Sequence, residues 1–375
     1  METTTIKTEN WTHLAKQLGE LFAQRANEKD RTASFVYENY EDLKAHRFFS
    51  ALIPEELGGG GITYTEMCEI IRIIGNNCGS TALAFSMHQH LVAAAVWKYK
   101  HKNEGAETLT KIAEQQLVLV STGAKDWLDS NGTLKKVNGG YLFSAKKHFA
   151  SQSIIGDVAV TSSVFSDIDG GEYVLHFSIP LKQQGVSLLD DWYTLGMRAT
   201  GSQTIIFEEV FVPEESIALK RERNEFHPIW NVVLTVAMPL IMSAYVGIAE
   251  KAEHLAIAAT QKRSLGHLPY SIGKLHNTFL ACKAQWVAMR SMANNLNFKP
   301  LGLTSADVLA YKTNVSDLAR ETVSSAMEII GGQGFYQRHL LERLFRDVQA
   351  SQFHPLPKWS QYEFTSRHLL ENHKS

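Results

Sequence analysis

Apolar residues at the start of the chain recur every three or four positions. Trp11, Leu14, Leu18 and Leu21 follow the 3.6-residue period and predict a helix. This rhythm continues to about residue 115, with one sharp break at the glycine loop IPEELGGGGITYTE, 53–66. MCEIIRIIGNNCG and STALAFSMHQHLVAAAVWKYK follow the break and read as two further helices. From about Leu117 to Leu219 the texture changes to short alternating or β-branched runs separated by turn residues. Asn138-Gly139 lies between two of these runs and predicts a hairpin, because a tight two-residue turn needs residues that accept positive φ. Long helical segments return from about Glu225, with breaks at Gly266, Pro269, Pro300 and Gly331-Gly332. Helices, then strands, then helices is not the alternation that builds a doubly wound sheet. The pattern predicts an α+β chain of three domains, with helices over 1–115, β structure over 116–224 and helices over 225–375. Gly75 and Gly79 lie outside any strand–helix unit, so they do not make a Rossmann dinucleotide site.

One run tests the boundary between core and membrane. Ile229 to Ala249 is almost wholly apolar and approaches the roughly 20 residues that span a bilayer. It also holds Asn231, Thr235, Pro239, Ser243 and Tyr245 and runs straight into a polar helix, so a buried bundle helix is expected. The composition of the 375-residue chain, 44% hydrophobic and 20% charged, suits a globular fold. A net charge of −2 offers no footprint for nucleic acid or an anionic membrane. Cys68, Cys78 and Cys282 form neither metal-spaced pairs nor a disulfide framework, which points to a reducing cytoplasm. The N-terminus is polar, so no signal peptide is expected.

The most informative segment is IGGQGFYQRHLLERLFRDVQASQFHPLP, Ile330 to Pro357. A Gly-Gly-x-Gly turn lets backbone N–H groups approach an anion closely. Three other blocks precede it in order: IPEELGGGG at 53–61, YLFSAKKHFASQS at 141–153 and LGMRATGSQTIIFEEVFVPEESI at 195–217. Together they resemble the acyl-CoA dehydrogenase superfamily over almost the whole chain. The resemblance implies an α-helical N-terminal domain, a β-barrel-like middle domain and a C-terminal four-helix bundle, assembled as a homodimer or homotetramer. It also implies a flavin between the β domain and the bundle. By the family's register, Phe149 would stand beside the isoalloxazine, Ser151 near flavin N5, and Ser121 or Thr122 at the pyrimidine side. Gly331, Gly332 and Gly334 would touch the dinucleotide of a neighbouring subunit. Such residues suit a flavin, which needs an apolar wall and a few aimed donors.

The resemblance fails at the proton-abstracting carboxylate. One family position for it falls on Pro355 and the alternative on Ala237, and neither can accept a proton. Met238 stands where an arginine often helps hold CoA. Lys262 replaces an arginine near the flavin pyrophosphate, and Glu328 replaces a glutamine before the glycine turn. A carboxylate beside a diphosphate is repulsive, so FAD, the family's flavin, has FMN or loosely held flavin as its alternative here. Arg346 and Asp347 are expected to form a helix-packing ion pair. His354 occupies the site loop, and a histidine there is similar to the family's branch of flavin-dependent monooxygenases, which receive reduced flavin from a separate reductase. Histidine can serve as acid, base or donor near neutral pH. His88 or His90 would face it across the pocket. The residues therefore point to a monooxygenase acting on a small non-CoA substrate, with His354, His88 and Ser151 as its catalytic set. The alternatives are an acyl-CoA dehydrogenase with an atypical base and a non-catalytic flavin-binding scaffold.

Overall fold

The computed structural model describes residues 10–123, 128–261 and 268–372. Five helices come first: α1 (Trp11–Thr32), α2 (Tyr37–Ala45), α3 (Tyr64–Asn77), α4 (Gly79–Lys102) and α5 (Ala106–Gln115). Asn10 caps α1 by accepting from His13 N at 3.0 Å, and Thr63 caps α3 by accepting from Glu66 N at 3.1 Å. The buried face of α1 is Ala15, Leu18, Phe22 and Ala26, and Leu21 is 41% exposed. The predicted period holds, but the face is turned from the one the large apolar residues suggest, toward Ala15 and Gly19, where a Cβ on Gly19 would lie 2.6 Å from the Asn77 amide of α3.

Eight strands follow: β1 (Leu119–Ser121), β2 (Thr133–Val137), β3 (Gly140–Lys147), β4 (Val158–Ser166), β5 (Glu172–Pro180), β6 (Val186–Leu188), β7 (Ile205–Pro213) and β8 (Leu219–Glu222). They form one mixed sheet in the order β6-β7-β3-β2-β4-β5-β8, with β1 pairing β4 in parallel. β2 and β3 turn at Asn138-Gly139, where Val137 pairs with Gly140 and Gly139 takes φ +77°. Phe143, Phe177 and Phe207 pack ring to ring in the sheet's own core.

The C-terminal helices are α6 (Ile229–Thr260), α7 (Leu268–Met292), α8 (Gly302–Ile330), α9 (Leu340–Val348) and α10 (Lys358–Asn372). α6, α7, α8 and α10 make the bundle, and one continuous apolar core joins it to α1–α5. Among the described residues α6 is the one helix long and apolar enough to cross a membrane, yet 94% of its most apolar stretch is buried inside the protein. Pro239 interrupts its hydrogen-bond ladder. Neighbouring polar groups serve the region: Tyr64 donates its hydroxyl to Val236 O at 2.7 Å, and Ser243 donates to Pro239 O at 2.7 Å. Two glycines bring α3 against α6 backbone to backbone. A Cβ on Gly75 would lie 2.5 Å from Ala244 O, and one on Gly247 would lie 2.2 Å from Arg72 O. Gly75 therefore serves helix packing rather than nucleotide binding.

Candidate active site

The site grows from the seam between the helices and the sheet. β1 enters the sheet directly below α4, and side chains hold its first residue from both sides. Leu119 N donates to His88 Nδ1 at 3.0 Å, and Gln152 donates its amide to Leu119 O at 2.7 Å. His88 donates from Nε2 to Phe49 O at 2.8 Å, and Tyr40 donates its hydroxyl to Gln152. Both ring nitrogens of His88 are thus committed to backbone, in a residue with 0% exposure. Burial lowers its pKa to about 4, so the ring is neutral with its proton on Nε2. This corrects the catalytic expectation for His88: the imidazole joins two domains and has no nitrogen left for a substrate.

The loop after β3 carries the aromatic and hydroxyl residues. Phe149 and Gln152 adopt left-handed backbone at φ +58° and +59°, and Met197, in the facing loop, does so at +55°. Non-glycine residues rarely take this conformation unless the surroundings impose it. Phe149 is turned outward, 60% exposed, with Trp192 edge-on at 6.2 Å. Ser151 is buried and ends a chain of hydroxyls. Its Oγ accepts from Ser202 Oγ at 2.9 Å, Ser202 lies 2.7 Å from Thr200 Oγ1, and Thr200 lies 3.0 Å from Met197 O. The next residue, Arg198, has a buried Nε with no hydrogen-bond partner.

α9 clamps this loop to the helices. Asp347 is buried and accepts from Met197 N at 2.6 Å. Burial raises its carboxyl to about 6, against the pull of Arg343 and of the Met197 amide. Arg346 reaches away from Asp347, to both oxygens of Asp30 at 3.0 and 2.6 Å, to Glu342 and to Leu195 O at 3.1 Å. The expected Arg346–Asp347 pair is therefore replaced by two separate ties, one to α1 and one to the β domain. The approach is close: a Cβ on Gly196 would lie 2.3 Å from Arg346 O.

His354 follows on the loop after α9. Its Nε2 lies 2.6 Å from the hydroxyl of Tyr245, which is fully buried in α6. His354 keeps part of its surface, yet the ring sits deep enough among protein groups that burial lowers its pKa to about 3, with Lys312 and His90 adding repulsion. Lys312 is buried in α8 and donates to Leu356 O at 2.9 Å, pinning the loop two residues beyond His354. Burial brings Lys312 down to about 8. His90, two residues beyond His88 and so on a different side of α4, is buried with its Nδ1 unpartnered, and its pKa falls to about 4 through burial. The structure therefore brings His354 and Tyr245 together, with Lys312 holding the loop two residues beyond.

The other expected residues fall elsewhere. Thr122 is buried and its hydroxyl donates to Thr161 Oγ1 at 2.8 Å, leaving half-buried Ser121 at the end of β1. Glu328 is exposed at the end of α8. Gly331 and Gly332 are exposed on the turn that follows, with Phe335 82% exposed, while Gly334 packs on Met327. Lys262 lies outside the described residues. Tyr245 and Lys312 were missed in the sequence. A signal existed for Tyr245, since a phenol inside an apolar run must find a partner when buried.

Comparison with known proteins follows the same lines. The acyl-CoA dehydrogenase N-terminal domain matches residues 13–116, and the acyl-CoA dehydrogenase C-terminal domain matches residues 231–354. The chain belongs to the acyl-CoA dehydrogenase family. Among its relatives is dibenzothiophene monooxygenase of Rhodococcus qingshengii, 27% identical over 91% of this chain and 88% of that protein. L-evernosamine nitrososynthase of a Micromonospora strain is 26% identical over 88% of this chain and 82% of its own. The fold matches that of an FMN-bound dibenzothiophene monooxygenase from a Paenibacillus species, with a TM-score of 0.84 at 18% identity, covering 97% of this chain and 98% of that one.

Acyl-CoA dehydrogenase family members hold a flavin, and the residues here fit one. Phe149 offers an exposed aromatic face, Ser151 a buried hydroxyl that accepts from Ser202, and Arg198 a buried donor without a partner. The family's dehydrogenases need a carboxylate as base, and the two positions that would carry it here, Ala237 and Pro355, hold none. Ala237 and Met238 are buried apolar residues of α6, and Pro355 has no basic atom. The nearby Asp347 already accepts from Met197 N.

Proposed function

We propose that this protein is a flavin-dependent monooxygenase acting on a small organic substrate that is not a CoA thioester. The observation that carries the reading is the pairing of His354 with Tyr245 beside Pro355, the position that would carry the dehydrogenases' carboxylate. An imidazole whose basicity is lowered by burial and whose Nε2 is bonded to a phenol suits the orientation of an oxygen atom better than the removal of a carbon-bound proton. Reduced flavin, when bound, supplies two electrons that split dioxygen, one atom entering the substrate and the other leaving as water. The chain's own part is to hold the ring, exclude water and present fixed donors. Phe149 and Trp192 would wall the ring, Ser151 would face it with its hydroxyl, and His354 and His90 would face the reacting side. FMN is the form we assign. Relatives of this fold have been solved with it, and Glu328 would set a carboxylate beside the turn where a dinucleotide would extend. The same turn, exposed through Gly331, Gly332 and Phe335, suits contact with a second copy of the chain in a homodimer or homotetramer. A separate reductase would deliver the reduced flavin in the cytoplasm.

The test is turnover of dibenzothiophene and of amino-sugar substrates with reduced FMN and oxygen, using ¹⁸O₂. Incorporation of one labelled atom, lost in His354→Ala, is the expected result. Oxygen-independent bleaching of bound flavin by acyl-CoA would overturn it in favour of a dehydrogenase.

A further inference from the structure

The contact between Tyr245 and His354 fixes more than the ring's position. A phenol and an imidazole nitrogen 2.6 Å apart share one hydrogen, which either can donate. Among the described residues the Tyr245 hydroxyl has no other hydrogen-bond partner. If His354 Nε2–H were the donor, the phenolic hydrogen would be left unpaired in a fully buried place, which is costly. Burial and the nearby Asp347 carboxylate both hold the phenol in its protonated form.

We propose that Tyr245 is a positioning residue that donates its hydroxyl hydrogen to Nε2 and so fixes His354 as the Nδ1–H tautomer, a hydrogen-bond donor rather than a base. This rests on the reading of His354 as a site residue. The surroundings support it from each helix packed there. Lys312 on α8 disfavours a positive charge on the ring, His90 on α4 is itself kept neutral by burial, and Asp347 on α9 bears on Tyr245 rather than on the imidazole. With the Nε2 lone pair engaged by the phenol and Nδ1 carrying the hydrogen, His354 has no lone pair with which to take a proton. It can only offer N–H, which suits an oxygen acceptor on flavin or substrate and gives a physical reason why this loop cannot stand in for the missing glutamate.

The experiment is NMR of flavin-free protein labelled with ¹⁵N-histidine, with the His354 signals assigned by their loss in His354→Asn. The wild type is expected to show a pyridine-type Nε2 and a pyrrole-type Nδ1, and Tyr245→Phe is expected to shift the population toward the Nε2–H form. A pyrrole-type Nε2 in the wild type overturns the proposal, and this outcome does not depend on how any Tyr245 variant folds. An unchanged tautomer in Tyr245→Phe overturns it as well. In turnover, Tyr245→Phe is expected to lower kcat about tenfold with KM for FMN little changed, the excess oxygen appearing as hydrogen peroxide. A tautomer that switches while coupled turnover stays intact upholds the Tyr245 assignment and sinks the catalytic reading of His354 instead.

Discussion

His88→Ala separates a joint from a catalyst. The substitution removes both ring nitrogens at the seam, leaving Phe49 O and Leu119 N–H without partners in a site of 0% exposure. Each orphaned group costs about 1–3 kcal/mol. The vacated ring also loses its packing on Phe49 at 4.9 Å and Phe85 at 6.4 Å, and a cavity of that kind adds about 2 kcal/mol. The expected loss is about 4–8 kcal/mol, a large part of the roughly 5–15 kcal/mol that holds a domain together. His88→Gln keeps a donor and an acceptor and is expected to recover more than half of that loss. Urea unfolding at pH 7.5, followed by tryptophan fluorescence, measures both variants, and turnover of His88→Gln measures what remains of activity. Were His88→Ala to unfold within about 1 kcal/mol of the wild type while turnover vanished, the structural assignment would be refuted and His88 would return to the chemistry.

Three further outcomes follow from the same geometry. Burial keeps His88, His90, His176 and His354 neutral, at about 4, 4, 3 and 3, all below the free value of 6.5. Their stabilisation is complete above pH 6.5 and is lost below it, by about 1.4 kcal/mol per residue per pH unit. Asp347, raised to about 6, acts in the opposite sense between pH 6 and 4 but offsets only one of the four. The urea midpoint should therefore drop steeply from pH 6.5 to 5, and a flat profile would contradict the burial of these rings. Phe149→Ala, at a 60% exposed position, should leave Tm nearly unchanged but weaken flavin binding about tenfold in a fluorescence titration; equal affinity would remove Phe149 from the ring wall. Gly196→Ala would press a methyl against Arg346 O and should cost about 1–3 kcal/mol in urea unfolding, while no loss would mean that α9 and the loop part easily.

Much of this architecture can be read from residue patterns because it follows period and turn chemistry. The change from helical to strand texture near Leu117 is visible in side-chain type, and Asn138-Gly139 marks its hairpin through positive φ at Gly139. α6 can be read as a core helix because Asn231, Thr235 and Ser243 interrupt its apolar run, and all three are hydrogen-bonded in the fold. What cannot be read is which of two similar residues faces the site. His88 and His90 are two positions apart on α4, and only the meeting of α4 with β1 shows that His88 holds Leu119 while His90 keeps a buried, unpartnered Nδ1. Lys312 resembles any lysine on a helix until α8 buries it under the His354 loop. Arg346 and Asp347 look like a pair because they are adjacent, but neighbours in a helix point in different directions. Each finds a partner far away in the chain.

Those distant partners bear on the order in which the protein is made. Asp30 and Arg346 are 316 residues apart, and Met197 and Asp347 are 150 apart, yet both ties close on the same short helix near the C-terminus. A nascent chain can form the α1–α5 packing, the sheet and the His88 seam between them well before α9 leaves the ribosome, but it cannot add the two ties that α9 makes. Until then, the Met197 loop and the exposed Phe149 wait on an unfinished joint with apolar surface open to solvent. Translation that stalls before residue 340 would thus release helices and sheet joined through the His88 and Gln152 seam but without the two ties of α9, a species prone to aggregation and dependent on chaperones.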